Sequence, residues 1–173
     1  SLIGIIFFAF SCKSDLDQLN KNNIEITGTI PDAFYTNFNI LYSDSGILKV
    51  KITGQILEQY SKTKKSPGKD IMQDSVHVRF FNGKQVVSSQ LFADYAIRNN
   101  NTSEMHAKGN VIVLDKIKKY TIYSDQLIYK KNDNFIFTNG NSKAISSEDN
   151  IVIKGDIFEY ERNKNIINAQ NNV

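Results

Sequence analysis

LFADYAIRNNNTSEMHAKGNV (residues 91–111), IYSDQLIYKKNDNFIFTNGNS (122–142) and IKGDIFEYERNKNIINAQNNV (153–173) repeat one pattern at a step of 31 residues. Asp94, Asp125 and Asp156 hold the same place in each copy, as do Asn101, Asn132 and Asn163, and Asn110, Asn141 and Asn172. Two apolar columns keep the step: Leu91, Ile122 and Ile153, then Met105, Ile136 and Ile167. A period of this length marks a supersecondary unit that cannot bury its apolar face alone and must stack on its neighbours. The chain is rich in Asn, so the Asp and apolar columns carry more of the argument than the Asn columns.

In each copy one strand runs out (91–97, 122–128, 153–159), turns at the Asn101 column, and a second returns (105–113, 136–145, 167–173). Upstream, Phe38, Ile40 and Tyr42 alternate with Asn39, Leu41 and Ser43, and Leu48, Val50 and Ile52 alternate with lysines and a threonine. That is the period-two signal of half-buried strands. Ser43 to Gly46 supplies the tight turn between them, and Asn82-Gly83 a second hairpin after the alternation Val76, Val78, Phe80. Ser61 to Asp74, with Pro67 and Gly68, reads as one long irregular loop. No segment after Pro31 spaces its apolar residues for even three helical turns. The expected fold is all-β, with about eleven strands in meandering hairpins stacked as one twisted sheet or two facing sheets. Like charges side by side are unfavourable unless solvated or hydrogen-bonded, so the Asp row is expected to face water or amides at the strand edges and not a metal.

The length of 173 residues suits one domain with an N-terminal appendage. A net charge of +3, with Lys scattered along the chain and one loop cluster at Lys62, Lys64 and Lys65, is not the footprint of a nucleic-acid binder, which would cluster Lys and Arg on one face. Leu2 to Phe10 is apolar but about half the roughly 20 residues that cross a bilayer, so it reads as the core of a secretory signal. No Lys or Arg precedes it, which points to a truncated start. Ala9 and Ser11 before Cys12, the one cysteine, look like a bacterial lipobox, with Cys12 the lipidated N-terminus of the mature chain. Residues 13–33 then form a polar tether, and the folded domain is expected over 34–173.

Chemistry has little to build on. His77 and His106 are the only histidines, and His77 lies on the face opposite the apolar alternation. No nucleophile elbow, phosphate loop, dinucleotide loop or paired-His metal motif occurs, so no enzyme activity, catalytic residue, cofactor or metal is expected. The aromatic side chains of the repeat, among them Tyr95, Tyr123, Tyr129, Phe137 and Phe158, either fill a closed core or line a trough suited to acyl chains. Periodicity alone leaves both open.

The stretches NFNILYSDSGILKVKITGQILEQY, VHVRFFNGKQVVSSQLFADYAIRNNNTSEMHAKGNVIVLD, YTIYSDQLIYKKNDNFIF and IVIKGDIFEYER resemble the LptC family of lipopolysaccharide export, in the lipoprotein form seen in Bacteroidetes-like bacteria. The likeness runs from Phe38 onward and is most specific at YSDSG (42–46), LFADYA (91–96) and AKGNV (107–111), the last echoing the repeat of the wider OstA-like group. TNGNS (138–142) and AQNNV (169–173) depart from that element. The resemblance implies a periplasmic β-jellyroll, open and V-shaped in section, that carries the acyl chains of lipopolysaccharide and serves outer-membrane biogenesis. It implies as partners the LptF/LptG transporter with its LptB ATPase, an LptA-like bridge and a membrane reached through the lipid anchor, and no nucleic acid. On that expectation the groove is lined by Val50, Ile52, Val78, Phe80, Leu91, Ile122 and Ile153. Docking falls to one edge with Phe38, Ile40 and Tyr42 and another with Ile166, Ile167 and Val173. A glycan-binding or adhesin β-sandwich on a surface lipoprotein is the alternative, and a soluble LptA-like bridge the near one.

Overall fold

The structure is a computed structural model and describes residues 30–64, 66–130, 135–161 and 166–170. Those residues form eleven strands and no helix: β1 (Ala33–Asp44), β2 (Ile47–Tyr60), β3 (Lys69–Phe81), β4 (Val87–Asn99), β5 (Met105–Asp115), β6 (Tyr120–Lys130), β7 (Phe135–Asn139), β8 (Ser142–Ser146), β9 (Val152–Gly155), β10 (Ile157–Glu161) and β11 (Ile166–Gln170). All belong to one antiparallel sheet in the order β1-β2-β3-β4-β5-β6-β7-β10-β11, with β8 paired to β6 and β9. Among the described residues the sheet does not close on itself: the fold is all-β, as the repeats led one to expect, and open at both ends, as the family resemblance implied. Cys12 and most of the tether lie outside the described residues.

Local chemistry explains most of the connections. Ser45 (φ 51°) and Gly46 (φ 76°) are both left-handed, as a two-residue turn between right-twisted strands requires. At the β3–β4 hairpin the left-handed residue is Gln85 (φ 61°) and not Gly83. Asn82 sets this longer loop instead, its side-chain carbonyl accepting the N–H groups of Lys84 (2.9 Å) and Val86 (3.1 Å). Strand β3 begins at Lys69, so the loop expected as far as Asp74 stops at Gly68. Two features of the sequence hide that start: a charged residue, Asp70, points inward, and the left-handed pair Asp74 and Ser75 (φ 57° and 65°) interrupts the alternation.

That interruption belongs to a line crossing the whole sheet. Register shifts fall between Thr53 and Ile56 in β2, Gln73 and Val76 in β3, Phe92 and Tyr95 in β4, and Lys108 and Val111 in β5. Such bulges bend a strand and sharpen its twist. Here they line up into a crease. The 31-residue pattern is the crease written in sequence. Gly109 and Asn110 (φ 74° and 46°) form a left-handed pair in β5, and Gly140 and Asn141 (φ 81° and 34°) form the same pair between β7 and β8. On the neighbouring strand an aspartate holds each pair: Asn110 Nδ2 donates to Asp94 Oδ2 (2.8 Å), and Asn141 Nδ2 to Asp125 Oδ2 (3.0 Å). The expected partnering of the Asp row with amides is therefore what the structure shows for these two. In the third copy Asp156 N donates to Gln170 O (3.0 Å), while Asn171 and Asn172 fall outside the described residues.

Folding along the crease turns the sheet back on itself. The first layer contains 38–53, 76–93, 111–123, β8 and β9; the second contains 33–36, 56–73, 95–108, 127–130, β7, β10 and β11. The layers meet through one apolar cluster that draws on nearly every strand, from Phe38 and Ile52 to Phe158 and Tyr160.

Gly109 is the test of the crease. A Cβ there would sit 2.6 Å from Asp94 Oδ2, on a backbone that L side chains rarely adopt. Gly109→Ala is expected to lower stability by roughly 1–3 kcal/mol in urea unfolding. Gly83→Ala, where a Cβ meets nothing within 4 Å, should change it little.

Candidate functional site

The interior of the V is the one surface that both layers build. In the first layer cross-strand pairing sets Ile40, Ile52, Val78, Leu91, Val113, Ile122, Ala144 and Ile153 side by side, an unbroken apolar row over eight strands. Five of the expected lining residues, Ile52, Val78, Leu91, Ile122 and Ile153, stand in this row. Val50 and Phe80 stand in the next row toward the open side, paired with each other. All seven share one face, and the structure brings them together.

The facing wall was not foreseen. It belongs to the second layer and begins with the row Leu57, Met72, Ala96, Ala107 and Leu127, each almost fully buried. Its sequence signal was the column of Met105 and Ile136, which the repeat displayed and which the choice of lining residues left out. One inner patch is polar. Ser124 Oγ lies 3.0 Å from Ser142 Oγ, Ser142 Oγ lies 2.8 Å from Thr138 Oγ1, and Phe158 N donates to Thr138 Oγ1 (2.9 Å). One repeat earlier the same positions are Ala93, Val111 and Ala107. These hydroxyls satisfy one another and the backbone, so they lie buried at no great cost.

The rows farthest from the crease form the mouth of the V, and two contacts shut it. Phe80 and Tyr129 meet edge to face with ring centres 5.8 Å apart, and the Arg98 guanidinium lies 4.9 Å from the centre of the Tyr42 ring. Arg98 is fixed from behind: Nη2 binds Asp70 Oδ2 at 2.7 Å, and Asp70 is 1% exposed. Gln59 and Asn100 each donate to Asp70 Oδ1 (3.3 Å), while burial pulls the Arg98 guanidinium below its ordinary value. Behind Phe80 and Tyr129 a void of about 20 Å³ is lined by Leu91, Val113, Leu127 and Ile136, with Ser89 and Asp115 at its rim. That is room for about one water molecule. Asp115 is engaged in a turn, its Oδ1 accepting from Ile117 N (3.0 Å) and Lys118 N (2.9 Å).

The two expected docking edges are edges of the sheet. On β1, however, Phe38 is buried and Ile40 and Tyr42 pack on the core, so these side chains belong to the interior. The exposed apolar groups of that strand are Phe34, Tyr35 and Leu41. Ile166 and Ile167 lie on β11, paired with Glu161 and Tyr160, and Val173 lies outside the described residues.

One antiparallel sheet, creased so that its two layers enclose an apolar interior, defines an open β-jellyroll. A similar solved structure is that of LptH of Pseudomonas aeruginosa, the LptA homologous periplasmic component of the conserved lipopolysaccharide transport device. The match has a TM-score of 0.54 at 15% identity and covers 71% of this chain and 82% of that one, so it speaks for the fold. No curated protein sequence matches the chain significantly. The profile of the LptC-related lipopolysaccharide-assembly family matches residues 2–173, and the chain belongs to that family.

The Asp70–Arg98 pair yields a stability prediction. Removing one partner of a buried ion pair costs about 3–5 kcal/mol, whereas replacing both with apolar groups of similar volume is often neutral. Arg98→Met alone should therefore destabilise strongly, and Asp70→Leu with Arg98→Met should recover most of the loss in a double-mutant cycle read by chemical unfolding.

Proposed function

We propose that this chain carries lipopolysaccharide through the periplasm, with the acyl chains held between the two layers. It would link the LptF/LptG transporter with its LptB ATPase to an LptA-like bridge. The observation that supports this best is the unbroken apolar row from Ile40 to Ile153, which offers a moving chain the same wall at every strand. The carriage is passive, and the reading assigns no reaction to the domain.

Loading requires the mouth to part, because the void holds little more than one water. The magnitudes favour it. An edge-to-face aromatic pair is worth about 0.5–1.5 kcal/mol and a largely desolvated cation–π contact about 2 kcal/mol. Burying an acyl chain of about a dozen methylenes is worth roughly 10 kcal/mol at about 0.8 kcal/mol each. The lipid outweighs the latch. The repeat then supplies walls that stay apolar while Phe80 and Tyr42 swing away from Tyr129 and Arg98.

The sheet edges are the proposed docking sites, because an unpaired strand edge is a template for strand addition. The β1 edge, with Phe34, Tyr35 and Leu41 exposed, would meet the transporter, and β11 the bridge. Cys12 would carry the lipid that anchors the chain to the inner membrane, with the polar stretch before β1 as its tether; the boundary expected at residue 33 falls earlier, because Ala33 already pairs with Gln59. An LptA-like bridge would lack that anchor, and mass spectrometry of the mature N-terminus separates the two. Family membership leaves the glycan-binding alternative without support.

Photo-crosslinking side chains at Leu91 and Ile122 in the first layer, and at Leu127 in the second, should capture lipopolysaccharide. Capture from the outer positions Phe92 and Ile128 alone would rule out interior carriage. Deleting residues 166–173 should abolish binding to the bridge protein while leaving binding to the transporter in place, and unchanged bridge binding would remove β11 as the docking edge.

A further inference from the structure

The outward face of the first layer holds its charges in an order that folding does not explain. Lys51 of β2 is directly opposite Arg79 of β3, and Lys143 of β8 is directly opposite Lys154 of β9. Directly opposed like charges destabilise a sheet. Nothing in these rows offsets them. The positions between the two pairs are Gln90 and Phe92, Leu114 and Ile112, Thr121 and Tyr123, and Ile145, with no carboxylate among them. Arg79 Nε is buried and meets no acceptor among the described residues. His77 stacks on Phe92 with ring centres 4.3 Å apart, and its partial burial lowers the imidazole's affinity for a proton. The positive charge at neutral pH therefore rests on the Lys and Arg side chains. The outward face of the second layer differs, with Glu58, Glu104 and Glu159 interspersed among Lys69, Lys108 and Lys130.

Apolar groups stand among the cations. Leu41 is 56% exposed, Val152 51% and Tyr123 40%. Leu41 is paired with Lys51, Val152 with Ile145, and Tyr123 with Lys143. The cation pairs sit at the two ends of this face, four strand spacings apart from Arg79 to Lys143, or about 19 Å at about 4.8 Å per strand. One phosphate cannot reach both ends. A laterally extended anionic surface can, and it accepts Tyr, Leu and Val at its boundary while the cations meet its headgroups.

We propose that the outward face of the first layer, centred on Lys51, Arg79, Tyr123, Lys143 and Lys154, is a docking surface for an anionic phospholipid bilayer. The inference stands apart from acyl carriage and does not depend on it.

The test uses the full chain with Cys12→Ser, so that a single introduced cysteine carries a fluorophore, either Tyr123→Cys on the proposed face or Asn139→Cys on the other layer. Vesicles of phosphatidylglycerol and phosphatidylcholine in equal parts, bearing a lipid-attached quencher, should quench the label at 123 more than the label at 139. Vesicles of phosphatidylcholine alone should show no such preference. Each neutralised cation should lower the vesicle partition constant about fivefold, and added salt should weaken binding of the parent chain. Lys143→Gln with Lys154→Gln removes an opposed like-charge pair, so its melting temperature should stay level or rise while vesicle binding falls. Equal quenching at both positions, indifference to phosphatidylglycerol, or unchanged binding by the double variant overturns the proposal. Binding to a soluble polyanion such as heparin without binding to vesicles overturns it as well.

Discussion

The carboxylates of Asp94 and Asp125 hold the molecule in its shape. Each reaches across to a left-handed pair on the adjacent strand, Gly109-Asn110 or Gly140-Asn141, and fixes the point where that strand turns from one layer to the other. Without that turn the strands would form a flat sheet with both faces wet, and neither apolar row could be buried. Glycine comes first in each pair because the carboxylate fills the space a side chain would need. The interior follows from the crease: once the strands fold back, the row through Leu91 and the row through Leu127 face each other. The mouth follows too, because the residues farthest from the crease, Phe80 and Tyr129 among them, must meet.

Much of this was legible in the sequence because the repeat is long and its chemistry is local. Hairpins declare themselves through alternation, which also puts Val50, Ile52, Val78 and Phe80 on one face, and the step of 31 residues aligns Leu91, Ile122 and Ile153 as one column. It does not show that 136–145 divides into β7 and β8, or 153–159 into β9 and β10, where the crease breaks the strands. The crease was visible as the Asp and Asn columns, but its meaning was not. Nothing in a linear chain says that Asn110 returns to Asp94 until β4 and β5 are paired. The start of β3 was hidden for a different reason. Asp70 is buried and charged, an exception that hydrophobic patterning reads as loop, and its partner Arg98 is supplied by another strand.

The cations show the limit of a linear reading. Lys51, Arg79, Lys143 and Lys154 are dispersed among neutral and acidic residues in the chain, and a count of charges finds nothing unusual. Their grouping is created by register, which sets Lys51 opposite Arg79 and Lys143 opposite Lys154 and brings Arg79 and Lys143, 64 positions apart in the chain (143 − 79), onto one face. The same register separates the sheet's tasks. Inner rows are nearly free of charge except at the mouth, the crease collects the exposed carboxylates of the repeat, and one outer face collects bases.

The crease also governs how such a domain can change in size. A single inserted residue in a strand would turn every following side chain to the wrong face and break the alignment of an aspartate with its left-handed pair. A whole copy of 31 residues would preserve both, since it brings its own aspartate and its own left-handed pair. Growth is therefore quantised in units of two strands, about 10 Å of sheet each. Span is inherited in whole hairpins, and the number of copies acts as a ruler for the distance a domain of this design can bridge.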